Sequence, residues 1–272
     1  MIQLEIRDSD NPTLQRIVDI PDKKRIEIQL NNDAAISFGR SLLKEHETLS
    51  DGKFWEIHKG HRFYVDTQDT DQSMKEIMNN FSLSGEYEPH TTQLLEEHVK
   101  PGNNCLDVGA SIGYMSMIMA RQTGPTGKVY AIEPTLNQVD YLKKNVHING
   151  YDDIITVVSN AAWDKEETIN INGNSTGRDN VKGIPLDSII SEEIDFIKID
   201  VDGSEPKALK GLEETIKRST NLKMVIEYYP KYITRLGLNP QDVLDFLDKY
   251  FAYSRIEGDY TEEYWNYFCI KK

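Results

Sequence analysis

Asp107-Val108-Gly109-Ala110-Ser111-Ile112-Gly113 is the stretch on which the reading of this chain turns. It closes a short apolar run, Asn104 to Val108, and opens onto the helical-looking Tyr114 to Gln122. Strand, glycine turn and helix in that order begin an α/β layer. Outward from it the rhythm repeats. Lys128 to Glu133 reads as the next strand, and its helix carries Val139, Leu142 and Val146 on one face before stopping at Asn149-Gly150. Ile154 to Val158 is a third strand and Asp195 to Ile199 a fourth, buried one. Ser204 to Arg218 reads as one helix with Pro206 in its first turn, where proline is tolerated. Leu222 to Glu227 is a fifth strand, Gln241 to Tyr250 a helix, and Tyr253 to Ile256 with Trp265 to Ile270 a closing strand pair. Glu167 to Ile171 fits an extra hairpin, and Asn172 to Gly183 reads as a polar loop. Such alternation implies a mostly parallel, Rossmann-like α/β sheet with helices on both faces.

Ahead of about residue 90 the character differs. Phe54 to His58 and Arg62 to Val65 flank Lys59-Gly60-His61 as a hairpin would, and Met74, Ile77, Met78 and Phe81 recur at helical spacing. The expected organisation is an extension over residues 1–89, capping the substrate side, and a catalytic-type domain over 90–272.

Composition removes several classes. Lys+Arg 31 against Asp+Glu 45 leaves a net charge of −14, so a phosphate backbone or an anionic membrane would be repelled. The nearest thing to a basic stripe, Pro21-Asp22-Lys23-Lys24-Arg25, is short. No apolar run reaches the ~20 residues that cross a bilayer. The alternating start Met1 to Asp8 is no secretory signal, so the expected location is cytoplasmic. Cys105 and Cys269 lie in strand-like stretches and could pair if those strands met; two buried free thiols is the simpler reading.

In sheets of this kind ligands bind beyond the carboxyl ends of the strands, where strand order reverses. Each strand end here carries chemistry. At the first, glycines let a ligand approach the backbone and expose amide N–H groups at a helix N-terminus. A dinucleotide fingerprint is spaced G-x-G-x-x-G, whereas this loop runs D-x-G-x-x-x-G. Asp107, ahead of Gly109, would repel a pyrophosphate and attract a ligand bearing ammonium and sulfonium charge, such as S-adenosylmethionine. The alternative is a tight turn whose glycines only pack helix on strand. Glu133 can accept both ribose hydroxyls or be a solvated strand-end acid. Asn160 could bond an adenine edge, with Ala161 and Ala162 leaving room for the ring, or sit in a turn. Lys198 inside a buried strand demands a partner. Asp200, Asp202 and Glu205 could hold a substrate hydroxyl or a divalent cation, or cap the next helix.

Taken together, Asp107–Gly113, Glu133-Pro134, Leu186-Asp187, Phe196–Glu205 and Val225-Ile226-Glu227 resemble the FkbM-type S-adenosylmethionine-dependent methyltransferases. The resemblance runs from about Trp55 to the C-terminus and includes Gly85-Glu86-Tyr87-Glu88-Pro89 and Lys100-Pro101-Gly102. Its most distinctive stretch, K-I-D-V-E-G-x-E, is here Lys198-Ile199-Asp200-Val201-Asp202-Gly203-Ser204-Glu205. Asp202 stands where the family has Glu, and Ser111 where it has Asn. The resemblance implies a seven-stranded class I methyltransferase sheet ending in an antiparallel hairpin. It also implies transfer to a hydroxyl of a sugar, glycan or natural product.

An alcohol needs its proton removed to act as a nucleophile. Asp200 is the first candidate base, with Lys198 holding its charge; Glu227, Asp202 and Glu205 follow. Glu88, Asp107, Gly109, Ala110, Ser111, Gly113, Glu133, Pro134, Asn160, Ala161 and Asp200 are the candidate donor-binding residues, with Tyr87 beside Glu88. His61 and His90 could reach the site, although surface roles suit every histidine better. A magnesium ion on Asp200, Asp202 and Glu227 is conceivable but not favoured, so no metal is expected. Arg178 could meet an anionic substrate group, and Phe54, Trp55, Phe63 and Tyr64 could stack on a sugar, although hairpin core is the stronger reading for those four. A non-catalytic nucleoside-binding scaffold and an RNA methyltransferase are the alternatives, the latter opposed by the net charge.

Overall fold

The computed structural model describes residues 2–8, 15–20, 26–30, 48–49, 52–58, 61–65, 87–173, 177–256 and 263–272, with side chains over 61–64, 87–170, 180–256 and 263–272. Two compact units divide at Trp55 and Glu56. In the first, Ile2–Asp8 pairs antiparallel with Gln15–Ile20 and parallel with Ile26–Leu30. The expected helix at Asp71 to Phe81, the Gly85-Glu86 pair and the side chains of Phe54, Trp55 and Arg178 lie outside the described residues.

The second unit is built on a seven-stranded sheet. Its strands are β1 (Asn104–Val108), β2 (Lys128–Ile132), β3 (Ile155–Val158), β4 (Phe196–Ile199), β5 (Lys223–Tyr228), β6 (Phe251–Arg255) and β7 (Trp265–Lys271). Across the sheet they run β6-β7-β5-β4-β1-β2-β3. The five from β5 to β3 are parallel, and β7 is antiparallel to both neighbours. Strand order reverses between β1 and β4, so the loop after Val108 and the residues after Ile199 flank the crevice where α/β sheets bind ligands.

The helices are α1 (Pro89–His98), α2 (Tyr114–Thr123), α3 (Leu136–Ile148), α4 (Glu205–Gly211), α5 (Glu213–Arg218), α6 (Pro230–Arg235) and α7 (Gln241–Tyr250). Val139, Leu142 and Val146 form the buried face of α3 as expected. β4 is buried at every position, and its apolar residues pack with Leu209, Leu212, Met224 and Ile226. None of the described helices is long and apolar enough to cross a membrane.

Three elements depart from expectation. The single helix expected over 204–218 breaks at Leu212, whose φ of −115° and ψ of 4° leave the helical region. The break is built in: a Cβ on Gly211 would run into the Trp163 carbonyl, and the Asp187 carboxylate caps α5 by accepting the Glu214 and Thr215 amides at 3.0 and 2.7 Å. Second, the polar loop expected over 172–183 is mostly strand. Residues Glu167–Gly173 and Gly177–Ile184 pair antiparallel, because the ladder satisfies their backbone whatever their polarity, and Val181 and Ile184 add burial. Third, α6 follows directly on Pro230, a first-turn proline. Cys105 in β1 and Cys269 in β7 are free and buried, separated by β4 and β5.

Candidate active site

The glycine loop is folded by its own hydrogen bonds. The Gly109 and Ala110 amides both donate to the Ile132 carbonyl at 2.9 Å, and the Gly113 amide to the Ala110 carbonyl at 2.8 Å. The Ser111 amide donates to Glu133 Oε2 at 2.9 Å. The expectation of exposed amides is therefore corrected at these four residues: the N–H groups that would cradle a phosphate are spent inside the loop. Gly109 is required twice over. Its φ is +86°, and a Cβ would collide with the Asp200 carbonyl oxygen, so loop and β4 end are in direct contact.

Glu133, at the tip of β2, is 4% exposed. Its Oε1 accepts the Thr135 amide at 2.8 Å while Oε2 takes Ser111, which orients the carboxylate rigidly. Burial pushes this carboxyl up to about 7 against the pull of those two amides. Pro134 follows it half-buried, and Leu136, opening α3, is left exposed. Asn160 stands apart: its amide nitrogen donates to the Lys182 carbonyl at 3.1 Å, and Ala161 pairs with Gly183.

Lys198 lies beside Asp107 in the β4–β1 register and beside Val225 toward β5. Only 4% of it is exposed, and its Nζ meets Asp200 Oδ2 at 2.8 Å, the partner its burial demands. Burial alone would lower the ammonium's pKa; the Asp200, Glu88 and Asp107 carboxylates outweigh it and hold the lysine above its ordinary value. Asp107 Oδ2 accepts the Ser116 hydroxyl at 2.5 Å, while Oδ1 is buried without a partner among the described residues. Burial raises Asp107 and Glu88 alike, with Lys198 opposing.

Beyond Asp200 the chain turns sharply through Asp202 and Gly203. Glu205, fully buried, fastens this turn by accepting the Val201 and Gly203 amides at 3.2 and 3.1 Å, and burial pushes it up to about 7. Glu227, near the end of β5, makes no side-chain hydrogen bond or ion pair to a described residue. Burial first, then Asp200, Glu205, Asp202 and Glu88, raise it well above the carboxylate range. The structure thus draws Glu88, Asp107, Lys198, Asp200, Asp202, Glu205 and Glu227 into one electrostatic cluster, with Glu133 reaching it through Asp202.

Strain collects at the same place. Among the described residues the non-glycine positions with left-handed φ are Glu88 (42°), Ser111 (49°) and Asp202 (50°), and each belongs to the site. Such conformations cost roughly 1–3 kcal/mol each and persist where the surroundings over-determine them. Buried atoms without partners gather here too: Glu88 Oε2, Asp107 Oδ1, Ser111 Oγ and Glu205 Oε2. Buried polar atoms are normally bonded, so these await a ligand rich in donors. An ammonium and ribose hydroxyls fit that demand, and a sulfonium adds a positive charge that carboxylates favour. Among the described residues no group of His, Cys, Asp and Glu side chains is arranged to hold a metal ion.

Other candidates fall elsewhere. His61 is buried, with Nε2 at 3.0 Å from the Tyr151 hydroxyl, and His90 is exposed. Phe63 stacks on Tyr114 and Tyr64 lies under Lys144, so both are core and neither is open to a sugar. Sequence reasoning passed over Asn145 and Asn266. Asn145 and Asn266 are both buried, and a polar residue on the apolar face of α3 was the signal available for the first.

The Methyltransferase FkbM domain family matches residues 107–254, more than half of the chain. A protein-L-isoaspartate O-methyltransferase of Aeropyrum pernix is 39% identical over 66 residues, 24% of this chain and 25% of that protein. The chain thus spans about a quarter of the length of this curated relative. Methyltransferase FkbM from Methylobacillus flagellatus KT superposes with a TM-score of 0.49 at 21% identity, covering 73% of this chain and 54% of that one. The Bacillus cereus O-methyltransferase in complex with SAH gives 0.48 at 17%, covering 76% and 93%.

Proposed function

Because this chain belongs to the FkbM methyltransferase family, we propose that it transfers a methyl group from S-adenosylmethionine to a hydroxyl of a sugar, glycan or natural product. The observation that carries this reading is the half-buried carboxyl of Glu227, which makes no side-chain hydrogen bond to a described residue and feels the charge of Asp200, itself paired with Lys198. A general base must be within reach of the hydroxyl and free to take a proton.

When bound, the donor supplies an electrophilic methyl on a sulfonium whose positive charge vanishes during transfer. Asp107 and Glu88, with buried oxygens lacking partners, are placed to hold its ammonium, and Glu133 its ribose hydroxyls. Ser111 offers a hydroxyl where an amide is usual, and Pro134, Asn160 and Ala161 border the adenine side. Asp200 is bound to the Lys198 ammonium, which suits it to orienting the acceptor hydroxyl. Glu227 then takes the proton, its basicity raised by burial and by the neighbouring carboxylates. Asp202 adds a shorter arm than Glu would, leaving room for a larger acceptor. A cytoplasmic setting suits free buried thiols.

Calorimetric titration with S-adenosylhomocysteine and with NAD tests the reading. Binding of the homocysteine product alone supports it; binding of NAD alone overturns it. Labelled methyl transfer to a panel of sugars and glycans then separates an enzyme from a scaffold, and transfer to RNA would replace the acceptor.

A further inference from the structure

Asn145 in α3 and Asn149, the residue that caps its C-terminus about one turn on, do what a neighbouring strand would do. Asn149 Oδ1 accepts the Arg62 amide at 2.9 Å and its Nδ2 donates to the Arg62 carbonyl at 2.6 Å. Asn145 Oδ1 accepts the Tyr64 amide at 2.5 Å. The match is metric. Four helical residues rise about 6 Å, and two strand residues about 6.7 Å, so side chains at i and i+4 on a helix meet alternate residues of an extended strand. The strand His61–Val65 is thereby fastened to α3 through its backbone, not only through Phe63 and Tyr64.

Asn145 differs from Asn149 in where its other end goes. Its Nδ2 donates to the Ile112 carbonyl at 2.8 Å. Ile112 lies between Ser111 and Gly113, whose φ values are 49° and 92°, at the turn that presents Ser111 to Glu133. Asn149 turns back to the Asn145 carbonyl and never reaches the loop. Asn145 itself is fully buried.

We infer that Asn145 is a positioning residue: it couples the docked strand 61–65 to the conformation of the donor-binding loop. The inference rests on the donor site proposed above. One amide group serves both sides, so loss of the Ile112 bond frees a carbonyl that must then seek another partner and lets Ser111 relax from its strained φ. Tightening of the loop by ligand must, by reciprocity, tighten the grip on Tyr64.

The test compares Asn145→Ala with Asn149→Ala, each losing one anchor of the same strand. Melting temperature should fall in both. Affinity for S-adenosylhomocysteine should fall about 10-fold in Asn145→Ala and stay within about 2-fold in Asn149→Ala, the scale of one buried hydrogen bond. Equal changes in affinity overturn the coupling. Hydrogen exchange on the wild type serves if Asn145→Ala does not fold: S-adenosylhomocysteine should slow the Tyr64 amide and leave the Arg62 amide unchanged, and an unaltered Tyr64 overturns the inference. A wild type that binds no S-adenosylhomocysteine overturns the donor site itself.

Discussion

Lys198 Nζ lies 2.8 Å from Asp200 Oδ2, and the lysine reaches that contact from inside β4, where almost none of it meets solvent. Asp200 follows directly on β4 and its amide still bonds the Val108 carbonyl, so two residues on from Lys198 it takes the same face, as β-alternation sets. The Lys198 ammonium is set among Glu88, Asp107 and Asp200.

Lys198→Met leaves those acids without compensation. Breaking one side of a buried pair costs about 3–5 kcal/mol. Denaturant unfolding at pH 7 should show a loss of that size, and adding Asp200→Asn should recover part of it. A single variant as stable as wild type would mean the pair contributes nothing.

Glu227→Gln should lower the methyl-transfer rate by about 10²–10⁴-fold, the usual reach of a general base. Its affinity for S-adenosylhomocysteine should hold. Asp200→Asn should act mainly on acceptor KM. If instead Asp200→Asn abolishes turnover and Glu227→Gln leaves it intact, the proton goes to Asp200.

Donor affinity should rise with pH through about 7, where Glu133 titrates. Ribose hydroxyls donate best to the ionised carboxyl, so binding lowers its pKa and releases a proton. Calorimetry in buffers of different ionisation enthalpy counts that proton. Glu133→Gln should bind more weakly and show no dependence in this range.

Stability of the ligand-free protein should run the other way. Glu133 and Glu205 titrate at about 7 when folded, above their ordinary value of 4.5. Each favours the fold while protonated; that contribution is complete below 4.5 and is lost as the pH climbs through about 7. Tm should fall from pH 5.5 to 8, and Glu205→Gln, which keeps an oxygen for the Val201 and Gly203 amides, should flatten the decline. A wild-type Tm that is level over this range would contradict the burial of both groups.

Gly109→Ala and Gly150→Ala share a positive φ and differ in surroundings. At Gly150 nothing lies within 4 Å of the added methyl, so the cost is strain alone, about 1–2 kcal/mol. At Gly109 the methyl meets the Asp200 carbonyl, and Asp200 must move. Soluble yield and donor binding should survive the first and fail in the second.

Local pattern carried most of the architecture. The 2- and 3.6-residue periodicities place β1 to β5, α3 and α7 within a residue or two, and acids at strand tips announce themselves as Asp107, Glu133, Asp200 and Glu227. Where local signals were ambiguous they misled: a polar run at 172–183 pairs as strand because its ladder needs only backbone, and the helix expected at 204–218 breaks where Gly211 meets the Trp163 carbonyl.

By itself, then, the amino-acid order determined which residues end each strand and that Lys198 needs a counter-charge. Only tertiary structure decided what those residues do for one another. Strand order brings β4 against β1 and so Asp200 against Gly109; Asn145 holds Tyr64 and Ile112 from positions far apart in the chain; the Glu227 carboxyl is left without a hydrogen-bond partner among the described residues. Spacing along the chain encodes which face a side chain takes, but burial, desolvation and long-range hydrogen bonds exist only once the sheet has assembled.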